Sequence, residues 1–229
     1  MGELAQQSAI WPDSTSFHVI KYGFDLEQFQ VIDKLQARRQ LGVDTDAVLI
    51  GFGAEDINNQ RKGFQHLLPA LEQLDSNHPV ECMVFGSGSI PDGFPSLPPI
   101  HPFGYINSPE KQAQFYSACD LVVVPSEEDN QPQVGLEAMA CGTPVVGFDA
   151  GGIREYVLPQ VTGLLAEVGN VADLSEKISF LVNQTDQRNQ MASSARRMML
   201  EEFDVVTQTE KYLELYRELV RQPTLLAAG

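Results

Sequence analysis

Short apolar runs alternate along the chain with stretches in which apolar residues recur every three or four positions. The runs 17–23 (FHVIKYG), 47–54 (AVLIGFGA), 80–86 (VECMVFG), 100–104 (IHPFG), 120–126 (DLVVVPS), 144–149 (PVVGFD) and 162–167 (TGLLAE) predict strands. Between them lie helical patterns. Phe64, Leu67, Leu68, Leu71 and Leu74 share one face of a helix over 63–74, and 109–119 (PEKQAQFYSAC) predicts another. A third helix is expected to begin near Pro132, at its first helical position, and to stop at CGTP, where Gly142 and Pro144 suit a helix end. After residue 170 the pattern is wholly helical. Val171, Leu174, Ile178, Leu181 and Val182 form one stripe with Asn170 as N-cap, and a helix around 187–202 follows. A last helix places Tyr212, Leu213, Tyr216, Leu219 and Val220 on one side. The segment GSGSIPDGFPSLPP belongs to a turn region.

Strands alternating with helices predict βαβ units. The expected fold is therefore α/β: a doubly wound, Rossmann-like parallel sheet covered on both faces, with extra C-terminal helices. Ligands of such sheets bind beyond the carboxyl ends of the strands, which directs attention to the loops after residues 54, 86, 104, 126 and 149. The domain boundaries expected are a residual linker at 1–16, the Rossmann-like domain at 17–203, a C-terminal helix at 204–221 and a tail at 222–229.

Charge narrows the choice of partner. With 31 acidic and 15 basic residues the formal net charge is −16, so bulk attraction to nucleic acid or to an anionic membrane is not expected. An anionic small ligand would need local donors such as helix N-termini and one or two bases. Cys82, Cys119 and Cys141 are widely spaced and form no Cys-x-x-Cys pair. They fit buried apolar positions in a reducing, cytoplasmic compartment. The N-terminal stretch lacks the basic and apolar regions of a secretory signal, and no apolar run is long enough to span a bilayer.

The chemistry concentrates in PSEEDNQPQVGLEAMACGTPVV, residues 125–146. On one continuous helix, the eight residues between Asp129 and Glu137 would rise about 12 Å, too far for two carboxylates to share a small site. Pro132 removes the difficulty, because Asp129 then sits in the loop before the helix and Glu137 in its second turn. Between them the backbone N–H groups of Gln133, Val134 and Gly135 are expected to be free at the helix N-terminus, where the dipole favours a phosphate or diphosphate. The carboxylates then flank an anion and suit neutral hydroxyls: each can accept two hydrogen bonds from a vicinal diol. Glu127 and Glu128 are read as cap and surface.

These residues resemble the donor-binding half of family 4 (group 1) GT-B glycosyltransferases. That family carries a Glu-x7-Glu element, then EAmacGtPVV and a GG…E loop; here Glu137 is the second acid and Asp129 replaces the first. VIKYGFDLEQF is similar to the segment that opens the family's C-terminal domain. GFGA……RKGFQHLLPAL resembles its phosphate loop, VFGSG a strand end, and FGYI the turn beside the base. The resemblance implies a retaining transfer of sugar from a nucleotide-diphosphate sugar to a glycan or lipid-linked acceptor, as in bacterial polysaccharide biosynthesis, with no bound metal and no cofactor. It makes Lys62, Asp129 and Glu137 the catalytic residues. Lys62 would neutralise diphosphate, and Asn130, Gln131, Gln133 and Val134 would lie along the phosphate and donor sugar. Asp129 would meet a sugar hydroxyl, Glu137 the ribose diol, and Tyr105 with Ile106 the base.

Three positions depart from the pattern. The family's arginine falls at Ala54, in what reads as a longer loop, which leaves open whether Arg61 substitutes. Pro132 replaces a glycine and removes a backbone donor. Asp129 is one methylene shorter than Glu. The resemblance also implies a separate N-terminal, acceptor-binding domain, through which any peripheral membrane contact would run; without it this chain is expected to be inactive. The final helix would cross to that domain and otherwise expose its apolar stripe. A non-catalytic nucleotide-sugar-binding subunit, working with a separate acceptor-domain chain, remains the alternative, and a GT-B-like epimerase fragment a third. Asp44-Thr45-Asp46 has a D-x-D form but lies before a strand, at the wrong end of the sheet, and reads as a solvated turn. GSGSIP lacks the third glycine of a dinucleotide fingerprint. His18, His66, His78 and His101 are scattered and fit structural roles.

Overall fold

The computed structural model describes residues 6–11, 15–43 and 46–221. Its strands are β1 (Val48–Asp56), β2 (Val80–Ser87), β3 (Ile100–Pro102), β4 (Leu121–Val124), β5 (Val145–Phe148) and β6 (Gly163–Ala166). They pair in parallel in the order β3-β2-β1-β4-β5-β6. The helices are α1 (Lys34–Leu41), α2 (Phe64–Glu72), α3 (Pro109–Ala118), α4 (Gln133–Ala140), α5 (Val171–Asn183), α6 (Thr185–Glu202) and α7 (Val205–Arg221).

Period-two alternation feeds two cores, one on each face of the sheet. Val122, Val124 and Val145 join a cluster with Ala37 of α1, Phe115 of α3 and Met139 of α4. Leu121, Val123, Val146 and Phe148 point the other way, to Leu67 and Leu68 of α2 and Leu174 and Ile178 of α5. The sheet is thus doubly wound, as expected, and its strand order reverses between β1 and β4. Loops at the carboxyl ends of those two strands diverge to opposite faces and leave a crevice.

At the opposite end of the sheet a buried ion network pins the layers. Asp120, just before β4, accepts from Lys34 Nζ at 2.6 Å, Arg38 Nη2 at 2.7 Å and the Leu49 N–H at 2.8 Å. Arg188 Nη2 of α6 lies 3.8 Å from the same carboxylate. Burial alone would raise the Asp120 carboxyl; Lys34, the Leu49 amide and Arg38 outweigh it and hold the group below its ordinary value.

Several expectations are corrected. Residues 17–23 form no strand: the segment ends in a single bridge between Phe24 and Asp204, with Val19 and Tyr22 exposed. β-Rich composition without a face to bury does not make a strand. Helix α1 was not foreseen because it buries only Ala37 and Arg38, although its caps are in the sequence: Asp33 accepts from the Gln36 amide, and Gly42 closes the helix at φ 71°. Ala54 is not in a loop. β1 continues through a register shift after Gly53, and Ala54 is buried. Pro132 is the N-cap of α4, and not its first helical residue. Asn170 does cap α5, accepting from the Asp173 amide. The three cysteines are free and buried, and burial pushes the Cys82 and Cys141 thiols up to about 12. Asp44 and Thr45 of the D-x-D turn lie outside the described residues, as do 1–5 and 12–14 of the linker and all of 222–229. Among the described residues no helix is long and apolar enough to cross a membrane.

Candidate functional site

Two close backbone approaches position the site. After β1 a 3-10 turn, Gln60–Lys62, ends at Gly63, whose φ of 79° favours glycine. A Cβ there would lie 1.8 Å from the Pro125 carbonyl oxygen, so the turn rests directly on the chain leaving β4. The second contact is the Gly151–Gly152 turn after β5. A Cβ on Gly152 would lie 1.7 Å from the Asn130 carbonyl oxygen, and the Gly152 N–H donates to the Asp129 carbonyl at 3.1 Å. Backbone therefore holds the acidic loop from both sides.

The carboxylates acquire specific partners. Lys62 Nζ meets Asp129 Oδ2 at 2.7 Å, and His66 Nε2 lies 2.8 Å from Glu127 Oε1. The His66 ring also packs edge-on against Phe148, with centroids 5.5 Å apart. Glu137 is buried, and the Tyr116 hydroxyl donates to its Oε2 at 2.5 Å. Burial raises the Glu137 carboxyl, and the Tyr116 hydrogen bond offsets part of that rise. Among the described residues its Oε1 has no hydrogen-bond partner.

Two adjoining cavities result. The first, about 470 Å³, lies over the carboxyl ends of β1 and β4 and brings together Lys62, Tyr105, Ile106, Asp129, Gln131, Gln133, Val134 and Glu137. The second, about 500 Å³, takes in Arg61, Lys62, Asp129 and Asn130, with Glu127, Glu128 and Gly151. All ten predicted site residues thus line one cavity or the other. Ile106 is buried in the wall, whereas Tyr105 is 60% exposed at the rim.

Two expectations change here. The Gly135 N–H is not free, because it donates to the Pro132 carbonyl at 3.2 Å; only the amides of Gln133 and Val134 remain at the start of α4. Nor do Glu127 and Glu128 cap α4, which has no side-chain cap hydrogen bond; Glu127 belongs to His66. Missing from the sequence-derived set are Tyr116, Gln112 and Ser126. Gln112 and Ser126 line the first cavity, and Tyr116 is fully buried beneath it. Nothing in the spacing signals Tyr116, since its tie to Glu137 is a tertiary contact between α3 and α4. Among the described residues no three or more His, Cys, Asp or Glu side chains are gathered as a metal site requires.

The arrangement offers one lysine, two helix amides and a buried carboxylate around a single cavity. It suits a ligand that is anionic at one point and rich in hydroxyls at another. Comparison with known proteins places the chain by kinship. The D-inositol 3-phosphate glycosyltransferase of Geodermatophilus obscurus is 32% identical over 201 residues, covering 78% of this chain and 42% of that protein. The chain thus spans less than half the length of that curated relative. HepE of Anabaena, solved in complex with UDP-glucose, superposes with a TM-score of 0.75 at 27% identity, over 88% of this chain and 57% of that one. The C-terminal domain of a group 1 glycosyltransferase (LpcC) from Francisella tularensis shares the fold, with a TM-score of 0.68 at 20% identity, over 80% of this chain and all of that domain. The model of the family described as glycosyl transferases group 1 matches residues 33–198, and the chain belongs to that family.

Proposed function

We propose that this chain is the donor-binding, C-terminal half of a family 4 GT-B glycosyltransferase. It transfers a sugar, with retention of configuration, from a nucleotide-diphosphate sugar to a glycan or lipid-linked acceptor, as in bacterial polysaccharide synthesis. One observation carries this reading: a lysine, two uncapped helix amides and a buried carboxylate converge on one cavity at the point where the strand order reverses.

Each group has a distinct task. Lys62 and the amides of Gln133 and Val134 receive the diphosphate and stabilise the charge that develops on it as the glycosyl bond breaks. Glu137 accepts the ribose diol; the Tyr116 hydroxyl holds one of its oxygens and leaves the other for the ligand. Tyr105 and Ile106 frame the base, while Asp129 and Asn130 face the sugar in the second cavity. The α7 stripe of Tyr212, Leu213, Tyr216 and Val220 is exposed, and residues 204–221 are proposed to cross to an N-terminal, acceptor-binding domain. The complexes of HepE with UDP and with UDP-glucose support a nucleotide sugar as donor.

Calorimetry with UDP, GDP and ADP in the presence of EDTA tests the site. One of them is expected to bind, and Glu137→Ala and Lys62→Ala each to weaken it by about tenfold or more. Binding that needs added magnesium, or that ignores both substitutions, would overturn the assignment.

A further inference from the structure

Among the described residues only Lys62 and Asp129 line both cavities, and they face each other at 2.7 Å across the boundary. Lys62 is also, among the described residues, the sole base lining the first cavity, where Glu55, Asp129 and Glu137 are the acids. The pair is sheltered, with side chains 33% and 18% exposed. Two other bases lie nearby, and among the described residues neither is hydrogen-bonded to the Asp129 carboxylate. His66 is engaged by Glu127, and Arg61 points into the second cavity from an exposed position on the 3-10 turn.

A diphosphate entering the first cavity therefore competes with Asp129 for Lys62. If the ligand is a bare nucleoside diphosphate, Asp129 loses its cation and faces a new anion across the cavity boundary. A sheltered carboxylate without a partner is costly. If the ligand carries a sugar, hydroxyls in the second cavity donate to the released carboxylate and offset that cost.

We infer, on the donor-site reading above, that Asp129 is a specificity-determining residue that favours the intact nucleotide sugar over the spent nucleoside diphosphate. After transfer the sugar is gone, Asp129 returns to Lys62, and the diphosphate is displaced. The Lys62–Asp129 pair thus makes the site loosen its grip on product while holding substrate.

The test compares matched ligand pairs by calorimetry on the chain as it stands: UDP with UDP-glucose, GDP with GDP-mannose, ADP with ADP-glucose. For the pair that binds, the wild type is expected to prefer the nucleotide sugar. Asp129→Asn is expected to bind the nucleoside diphosphate about tenfold more tightly and the nucleotide sugar more weakly, so the preference collapses. Asp129→Glu keeps the charge and is expected to keep the preference. Glu210→Gln, a distant exposed site on α7, makes the same change in net charge and is expected to alter neither affinity. A gain in one affinity with a loss in the other cannot come from a damaged fold. An Asp129→Asn variant with unchanged or weaker diphosphate binding overturns the inference, as does an equal gain in Glu210→Gln. If the wild type binds no nucleotide of any pair, the donor-site reading itself fails, a result distinct from failure of Asp129→Asn alone.

Discussion

Glu137, the proposed ribose-binding residue, is maintained against the stability of the fold around it. Glu137 is 9% exposed, and burial raises its carboxyl above the ordinary glutamate value of 4.5. The native state therefore holds its proton more tightly than the unfolded chain does, and stability falls as pH rises through that window. Above it the full cost of the buried charge is present. Glu137→Gln, which keeps an oxygen for the Tyr116 hydroxyl, is expected to raise the stability of the chain near neutral pH. The difference should shrink as pH falls toward 4.5, in paired urea titrations, while nucleotide binding is weakened at every pH. The acid itself was legible in the sequence, because Pro132 separates it from Asp129 by a loop and a helix start. Its partner was not. Tyr116 reads as an ordinary helix residue, and only the packing of α3 on α4 brings its hydroxyl to the carboxylate. The same limit applies to His66 and Glu127, paired through tertiary structure across 61 positions.

Elements carry a different share of the information. Strands with two buried faces announce themselves, and β1, β2, β4 and β5 fall within a few residues of the apolar runs. Elements that bury little are misread: 17–23 has strand composition and no sheet to join, while α1 is a helix specified by its caps instead of an apolar stripe. The Gly151–Gly152 turn, recognised only as a motif, proves to be the buttress of the acidic loop. Gly152→Ala would force its Cβ into the Asn130 carbonyl, 1.7 Å away. The substitution is expected to cost about 2 kcal/mol in urea denaturation and to abolish nucleotide-sugar binding by displacing Asp129 and Asn130. Asp120 gives the contrasting case, at the other end of β4. Asp120→Ala strands Lys34, Arg38 and Arg188 without their carboxylate and is expected to cost roughly 3 kcal/mol while leaving ligand affinity intact. Because the Asp120 carboxyl lies below its ordinary value of 3.8, its contribution is present above that pH and lost as pH falls through the lowered value.

At the scale of the whole molecule, strand order and net charge together shape binding. The βαβ alternation visible in the sequence implies a doubly wound sheet; the structure puts the reversal between β1 and β4, which places the crevice before any side chain is considered. The formal charge of −16 then opposes an anionic ligand at long range, while Lys62 and the α4 amides attract it at contact. Added salt screens the first effect more than the second. The association rate of a nucleoside diphosphate, measured by stopped flow, is expected to rise a few-fold between about 10 and 150 mM ionic strength. A chain steered by a basic surface would show the opposite trend. The most direct measurement of the donor site is amide chemical-shift mapping of the isotopically labelled chain with the nucleoside diphosphate that binds. The site described here predicts the largest shifts at Gln133 and Val134, with smaller ones at Lys62, Ile106 and Asp129. Shifts confined to other loops, or spread evenly over the surface with these amides unmoved, would contradict it.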